Sequence, residues 1–283
     1  MNRPHRLLAF LRFAGLAALT TASLHAGLIA HEPFDYAEGL PLHGAAGGLG
    51  WLAAARDDGR SPALAGWAVQ RARTDPGGYR VAARSPLVGR RLGGSAAHLV
   101  GGWDYLAAGR TLDAAAPGAS PLWSDGERLG KPGRPIYIAA LLRADAAGGS
   151  VFLNVHSNRF ASQVDRERVS WGVFGNTAAG GFWGLRAADG DVVRTEAAAL
   201  PGEPVLLLVK LEFAVSGGQH GGQASLWVNP TADRPLPAPA VGVETGDIRF
   251  HSLAVYLGAG PGGGAVDEIR VALTPETALG ATR

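Results

Sequence analysis

The sequence predicts an all-β fold, a two-sheet antiparallel jelly-roll sandwich that follows an N-terminal signal-peptide helix. Glycine at 42 positions and proline at 18 break the 283 residues into short segments. Between these breaks, apolar residues recur at every second position, the period of a strand with one buried face. Ten or so such runs point to two packed sheets, and helical patterning is weak throughout.

Residues 1–26 form the leader. Arg3, Arg6 and Arg12 make a basic start, Phe13 to Leu19 is a short apolar run, and Ala26 closes a stretch of small residues. This is the layout of a secretory signal peptide, too short to span a bilayer, which takes roughly 20 apolar residues. Cleavage is placed after Ala26, with Ala22 and Ala30 as alternatives. Residues 27–283 then read as one β-sandwich domain.

Along that domain, "YRVAAR" is the first clear strand after "HEPFDY". The stretch Asp104 to Ala116 has helical propensity, interrupted by Gly109. "RPIYIAALLRAD" sets Ile136, Ile138, Ala140 and Leu142 on one face, and "SVFLNVHSN" sets Val151, Leu153 and Val155 against Phe152, Asn154 and His156. "VSWGVFG" and "GFWGLRAA" follow as strands. "EPVLLLVKLEF" is apolar on both faces as far as Leu208, as a strand covered on both sides would be. "SGGQHGG" joins it to "QASLWVNP" as a hairpin. "DIRFHSLAVYLG" and "AVDEIRVAL" close the series, and no fixed-period repeat suggests a propeller or solenoid.

The leader holds three of the 26 basic residues and none of the 24 acidic ones, leaving 23 against 24 in the mature chain. No basic stripe remains to meet phosphates, so nucleic acid is not an expected partner. The absence of cysteine excludes disulfides, thiolate metal sites and a cysteine nucleophile. No second apolar span follows the leader, and the expectation is a protein released to the periplasm or exterior.

"HEPFDYAEGLPLHGAAGGLGW", "YIAALLRAD", "FWGLR", "VLLLVKLEF", "LWVNP" and "VDEIRVALTP", in this order, resemble secreted bacterial proteins of the concanavalin A-like, laminin-G-like jelly-roll superfamily. The resemblance spans residues 31 to 275. It implies a fold shared by lectins, glycan-binding modules, glucanases, lyases and adhesive domains, and it does not choose among them.

The catalytic patterns of that superfamily are missing. No E-x-D-x-x-E strand sets two carboxylates on one face for glycoside hydrolysis. The lyase-like fragments Arg194-Thr195-Glu196 and Gln219-His220 are too short to mean much, and the latter sits in a glycine loop. No G-x-S-x-G elbow occurs, and the eight histidines lack metal-ligand spacing. No catalytic residue is assigned.

Two acids and several aromatic residues remain. Strict alternation puts Asp267 on the face of Ile269 and Val271, and Glu32 on that of Phe34 and Tyr36. If the first and last strands are neighbours, Glu32 and Asp267 meet on the inner side. A buried carboxylate needs a partner. Calcium, an oxygen-seeking ion, is one, as a structural cofactor; an arginine or a row of backbone donors are the others. For ligand binding, Asn154, His156, Trp183, Trp227 and Asn229 are the candidates, since indole faces pack on sugar C–H groups and amides bond hydroxyls. The expected function is a secreted, non-catalytic domain binding glycan or another surface polymer. A polysaccharide-cleaving enzyme and a structural or adhesive envelope protein are the alternatives.

Overall fold

A computed structural model describes residues 27–42, 44–52, 66–69, 79–81, 97–99, 106–116, 119–124, 128–157, 167–175, 181–188, 190–232, 235–257 and 264–280. The signal-peptide reading of residues 1–26 lies outside them. In chain order the strands are β1 (Leu28–Glu32), β2 (Ala68–Val69), β3 (Tyr79–Val81), β4 (Ala97–Leu99), β5 (Leu106–Thr111), β6 (Ile136–Ala144), β7 (Val151–His156) and β8 (Glu167–Val173). They continue as β9 (Phe182–Ala187), β10 (Val193–Ala198), β11 (Val205–Ser216), β12 (Gln219–Val228), β13 (Val241–Thr245), β14 (Ser252–Leu257) and β15 (Gly264–Ala272), and a single helical turn, α1 (Pro275–Ala278), follows.

These strands form two antiparallel sheets. One runs β13-β12-β11-β6-β15-β4-β3, with β1 paired to β15 as well; the other runs β10-β9-β8-β7-β14-β5-β2. The first and last described strands are therefore neighbours. Between the sheets lies the main core: Ile136, Ile138, Ala140 and Leu142 from β6 meet Val151, Leu153 and Val155 from β7, with Trp171, Trp183 and Val255 beside them. Each of these is the inward half of an alternating strand.

The eight-stranded sheet is also sealed on its outer face. Ala139, Leu141, Leu206, Leu208, Trp227, Ala265 and Ala272 form a second apolar cluster that Ala278 of α1 and the half-buried Leu28 and Leu236 help to close. This explains why "VLLL" is apolar at consecutive positions. Thr274 caps α1, its hydroxyl accepting from Thr277 N at 3.3 Å.

Two expectations need correction. The helical propensity of Asp104 to Ala116 gives way to β5, which pairs with β14 and β2; tertiary pairing outweighs a few tenths of a kcal/mol of propensity per residue. The strict alternation of β15 also fails. Val266, Ile269 and Val271 face the main core, but a bulge lies between Asp267 and Arg270, and Glu268 adopts φ 52. The extra residue moves Asp267 to the other face, opposite Leu141 of the outer cluster.

Candidate functional site

Glu32 is held by four hydrogen bonds. It faces Ile269 across the β1–β15 ladder and is fully buried. Its Oε2 accepts from Arg110 of β5, from Trp67 Nε1 at 3.1 Å and from the Tyr36 hydroxyl at 3.0 Å, and its Oε1 accepts from Phe34 N at 2.9 Å. Phe34 turns this last amide back at φ 54 and stacks on Trp67, centroids 5.3 Å apart. Burial pushes the Tyr36 hydroxyl well above the usual tyrosine range, and the Glu32 charge adds to it.

Asp267 does not join this cluster. It points to the opposite face, where its Oδ1 accepts from Glu268 N at 2.8 Å. Glu268 in turn accepts from His31 Nε2 at 2.8 Å and Arg270 at 2.9 Å. Burial alone would raise the Glu268 carboxyl; the hydrogen bond from His31 and the charge of Arg270 outweigh it and hold the group below its ordinary value. The expected calcium pair of Glu32 and Asp267 is thus separated by the sheet, and Glu32 already has an arginine. No group of three or more potential metal ligands occurs among the described residues. Arg249 pairs with Asp247 at 2.7 Å.

The five ligand candidates also part company. Trp183 lies in the main core, 1% exposed. Trp227 lies on the outer face of the eight-stranded sheet, where its Nε1 donates to Pro237 O at 2.8 Å and its ring packs in the apolar cluster. Asn229 ends β12 at φ 51, its Oδ1 accepting from Leu206 N at 3.1 Å. Asn154 and His156 alone share a polar face, the outer side of the seven-stranded sheet.

On that face, the strand register sets side chains in three cross-strand rows. The central row runs Ala68, Gly109, Ala254, Asn154, Ser170, Arg186. One flank carries Ala107, Tyr256, Phe152, Gly172, Gly184 and Arg194, the other Thr111, Ser252, His156 and Glu167. Small residues at one end thus give way to polar and aromatic ones at the other. Phe174, Phe152, Tyr256 and His156 stack in a series, with centroids 4.8, 5.2 and 6.0 Å apart. The Arg186 guanidinium lies 5.1 Å from the Phe174 ring and 5.9 Å from that of Phe152.

The polar groups are partly bonded to one another. His156 Nε2 donates to Asn154 Oδ1 at 2.6 Å and sits 3.5 Å from the Tyr256 hydroxyl. Glu167 Oε1 accepts from both Ser170 and Arg186. Asn154 is fully buried, yet its Nδ2 has no hydrogen-bond partner among the described residues, nor has Arg186 Nε. Burial lowers the His156 pKa to about 4 against the opposing pull of Glu167, so the ring is neutral at pH 7. Sequence alternation exposed Asn154 and His156; Ser170, Arg186 and Tyr256 needed the pairing register, which no local pattern supplies.

No protein-family model and no curated protein matches the chain. Among solved structures, the chain is similar to the globular domain of T. cruzi calreticulin, with TM-score 0.52 and 7% identity over 89% of this chain and 90% of that one. It also matches domain 4 of an extracellular arabinanase from Geobacillus stearothermophilus, with TM-score 0.45, 14% identity and coverage of 90% and 98%. A third match is the carbohydrate recognition domain of Emp46p, with TM-score 0.41, 8% identity and coverage of 73% and 87%. At 7% identity the calreticulin likeness is one of fold, and it agrees with the two-sheet jelly-roll sandwich built from the strand pairings.

Proposed function

We propose that the protein is a secreted, non-catalytic glycan-binding domain whose ligand face is the outer side of the seven-stranded sheet. Asn154 Nδ2 carries this reading: a buried amide donor with no acceptor costs about 1–3 kcal/mol, and a ligand oxygen relieves that cost. The aromatic series beside it offers apolar surface for sugar C–H groups. The opposite outer face, with Trp227 and Asn229, is taken up by apolar packing and by α1. Tyr256 and Arg186 reach solvent, and a sugar meets these before the deeper Asn154 and His156.

Polysaccharide pull-down and glycan-array binding test the reading. Retention on at least one polymer, weakened by Tyr256→Ala and Asn154→Ala, is the expected result. Absence of retention on every polymer removes it.

One observation favours cleavage as a second reading. The His156 ring lies 3.5 Å from the Tyr256 hydroxyl, which sets two groups capable of proton transfer side by side on the ligand face. Reducing-end and unsaturated-uronate assays separate the two: product formation that disappears in His156→Ala makes the protein an enzyme.

A further inference from the structure

We infer that Asn154 and Arg186, which flank Ser170 in one cross-strand row, recognise an acidic group, the carboxylate or sulfate of an acidic sugar; this rests on the glycan-binding reading and names its ligand class. The three residues are directly opposite one another on β7, β8 and β9. Adjacent strands lie roughly 4.8 Å apart, so Asn154 and Arg186, two strands apart, lie within the span of one acidic sugar.

Asn154 Nδ2 and Arg186 Nε are both donors, and neither has an acceptor among the described residues. A hydroxyl that accepted from them would bring its own proton, which needs an acceptor in turn. Glu167 Oε1 already accepts from Ser170 and Arg186. A carboxylate or sulfate brings acceptors only, and charge-assisted bonds to it are about twice as strong as neutral ones.

Arg186 is the cation of the central row, and His156 beside it is neutral at pH 7. Arg186 is pre-set for the role. Its guanidinium is held by Glu167 and by the rings of Phe152 and Phe174, so little side-chain freedom remains to be lost on binding.

Affinity electrophoresis of the full chain tests this, in gels containing polygalacturonate, dextran sulfate or neutral laminarin. Retardation by an acidic polymer and not by laminarin is expected, and the more effective acidic polymer tells carboxylate from sulfate. The retardation should fall in roughly 0.5 M salt, where screening acts over a few Å. Arg186→Gln and Asn154→Leu should each weaken it at least about tenfold, a loss of one charge-assisted bond. Equal or stronger retardation by laminarin, or acidic-polymer binding untouched by Arg186→Gln, overturns the inference but leaves glycan binding standing. Retardation by none of the polymers overturns it, and continued failure across a wider glycan array overturns glycan binding as well. The wild-type polymer series decides the matter even if a variant fails to fold.

Discussion

Arg110 and Glu32 form an ion pair whose side chains are 2% and 0% exposed. They join the first strand to the opposite sheet across the core. Two charges taken out of water are tolerable only with close pairing and further hydrogen bonds, which Trp67, Tyr36, Phe34 N and the Gly47 carbonyl provide. Arg110→Met strands the carboxylate and should lower stability by about 3–5 kcal/mol in urea unfolding. The double variant Glu32→Leu with Arg110→Met should recover much of that loss; if it is as unstable as the single change, the pair is not the source of the cost.

Calcium offers a separate check on the same carboxylate. With four donors on Glu32 and Asp267 on the other face of the sheet, stability in millimolar calcium and in chelator should agree at this site. Glu32→Gln should therefore lower the melting temperature by the same amount in both buffers. A drop confined to the calcium buffer would restore a metal role for Glu32.

Acid should weaken the fold through His156. Its folded pKa is about 4, below the ordinary 6.5, chiefly because burial disfavours the charged ring. The unfolded chain thus takes up the proton first, and the contribution is complete above pH 6.5 and is lost as pH falls from there through 4. Unfolding free energy should decline over that window by an amount on the order of 2–3 kcal/mol, and His156→Gln should flatten it. A wild-type profile parallel to that of the variant would contradict the shift.

Trp227 separates packing from binding. It closes the apolar cluster under α1 and is 7% exposed. Trp227→Phe keeps most of the packing but loses the bond to Pro237 O, at a cost of about 1–3 kcal/mol. Retention on glycan columns should not change. Loss of retention with stability intact would move the ligand face to the eight-stranded sheet.

How far the sequence could be read depends on what each residue needed from elsewhere. Alternation in "IYIAALLRA" and "VFLNVH" sorted both strands correctly, because every inward position there is apolar and the extra residues of their irregular ladders fall on the partner strands. It misplaced Asp267 because the bulge at Glu268 uses a non-glycine residue at positive φ, leaving no glycine to mark it. The Arg110 partner of Glu32 was hidden inside a segment with helical propensity. Asn154 and His156 were found together because they stand two apart on one strand. Arg186 and Tyr256, which complete their surroundings, are brought there only by pairing across β8, β9 and β14.

The pairing of β1 with β15 makes the described fold a nearly closed ring of chain. Leu273 N donates to Gly27 O at 2.8 Å, so the two ends of the described chain lie side by side. A circular permutant that joins residue 280 to residue 27 through a short linker and opens the chain at the exposed Gly217–Gly218 turn should keep all of its strand pairs. The sandwich can then be spliced into the surface loop of a host protein, hanging from it by a stem only two strands wide.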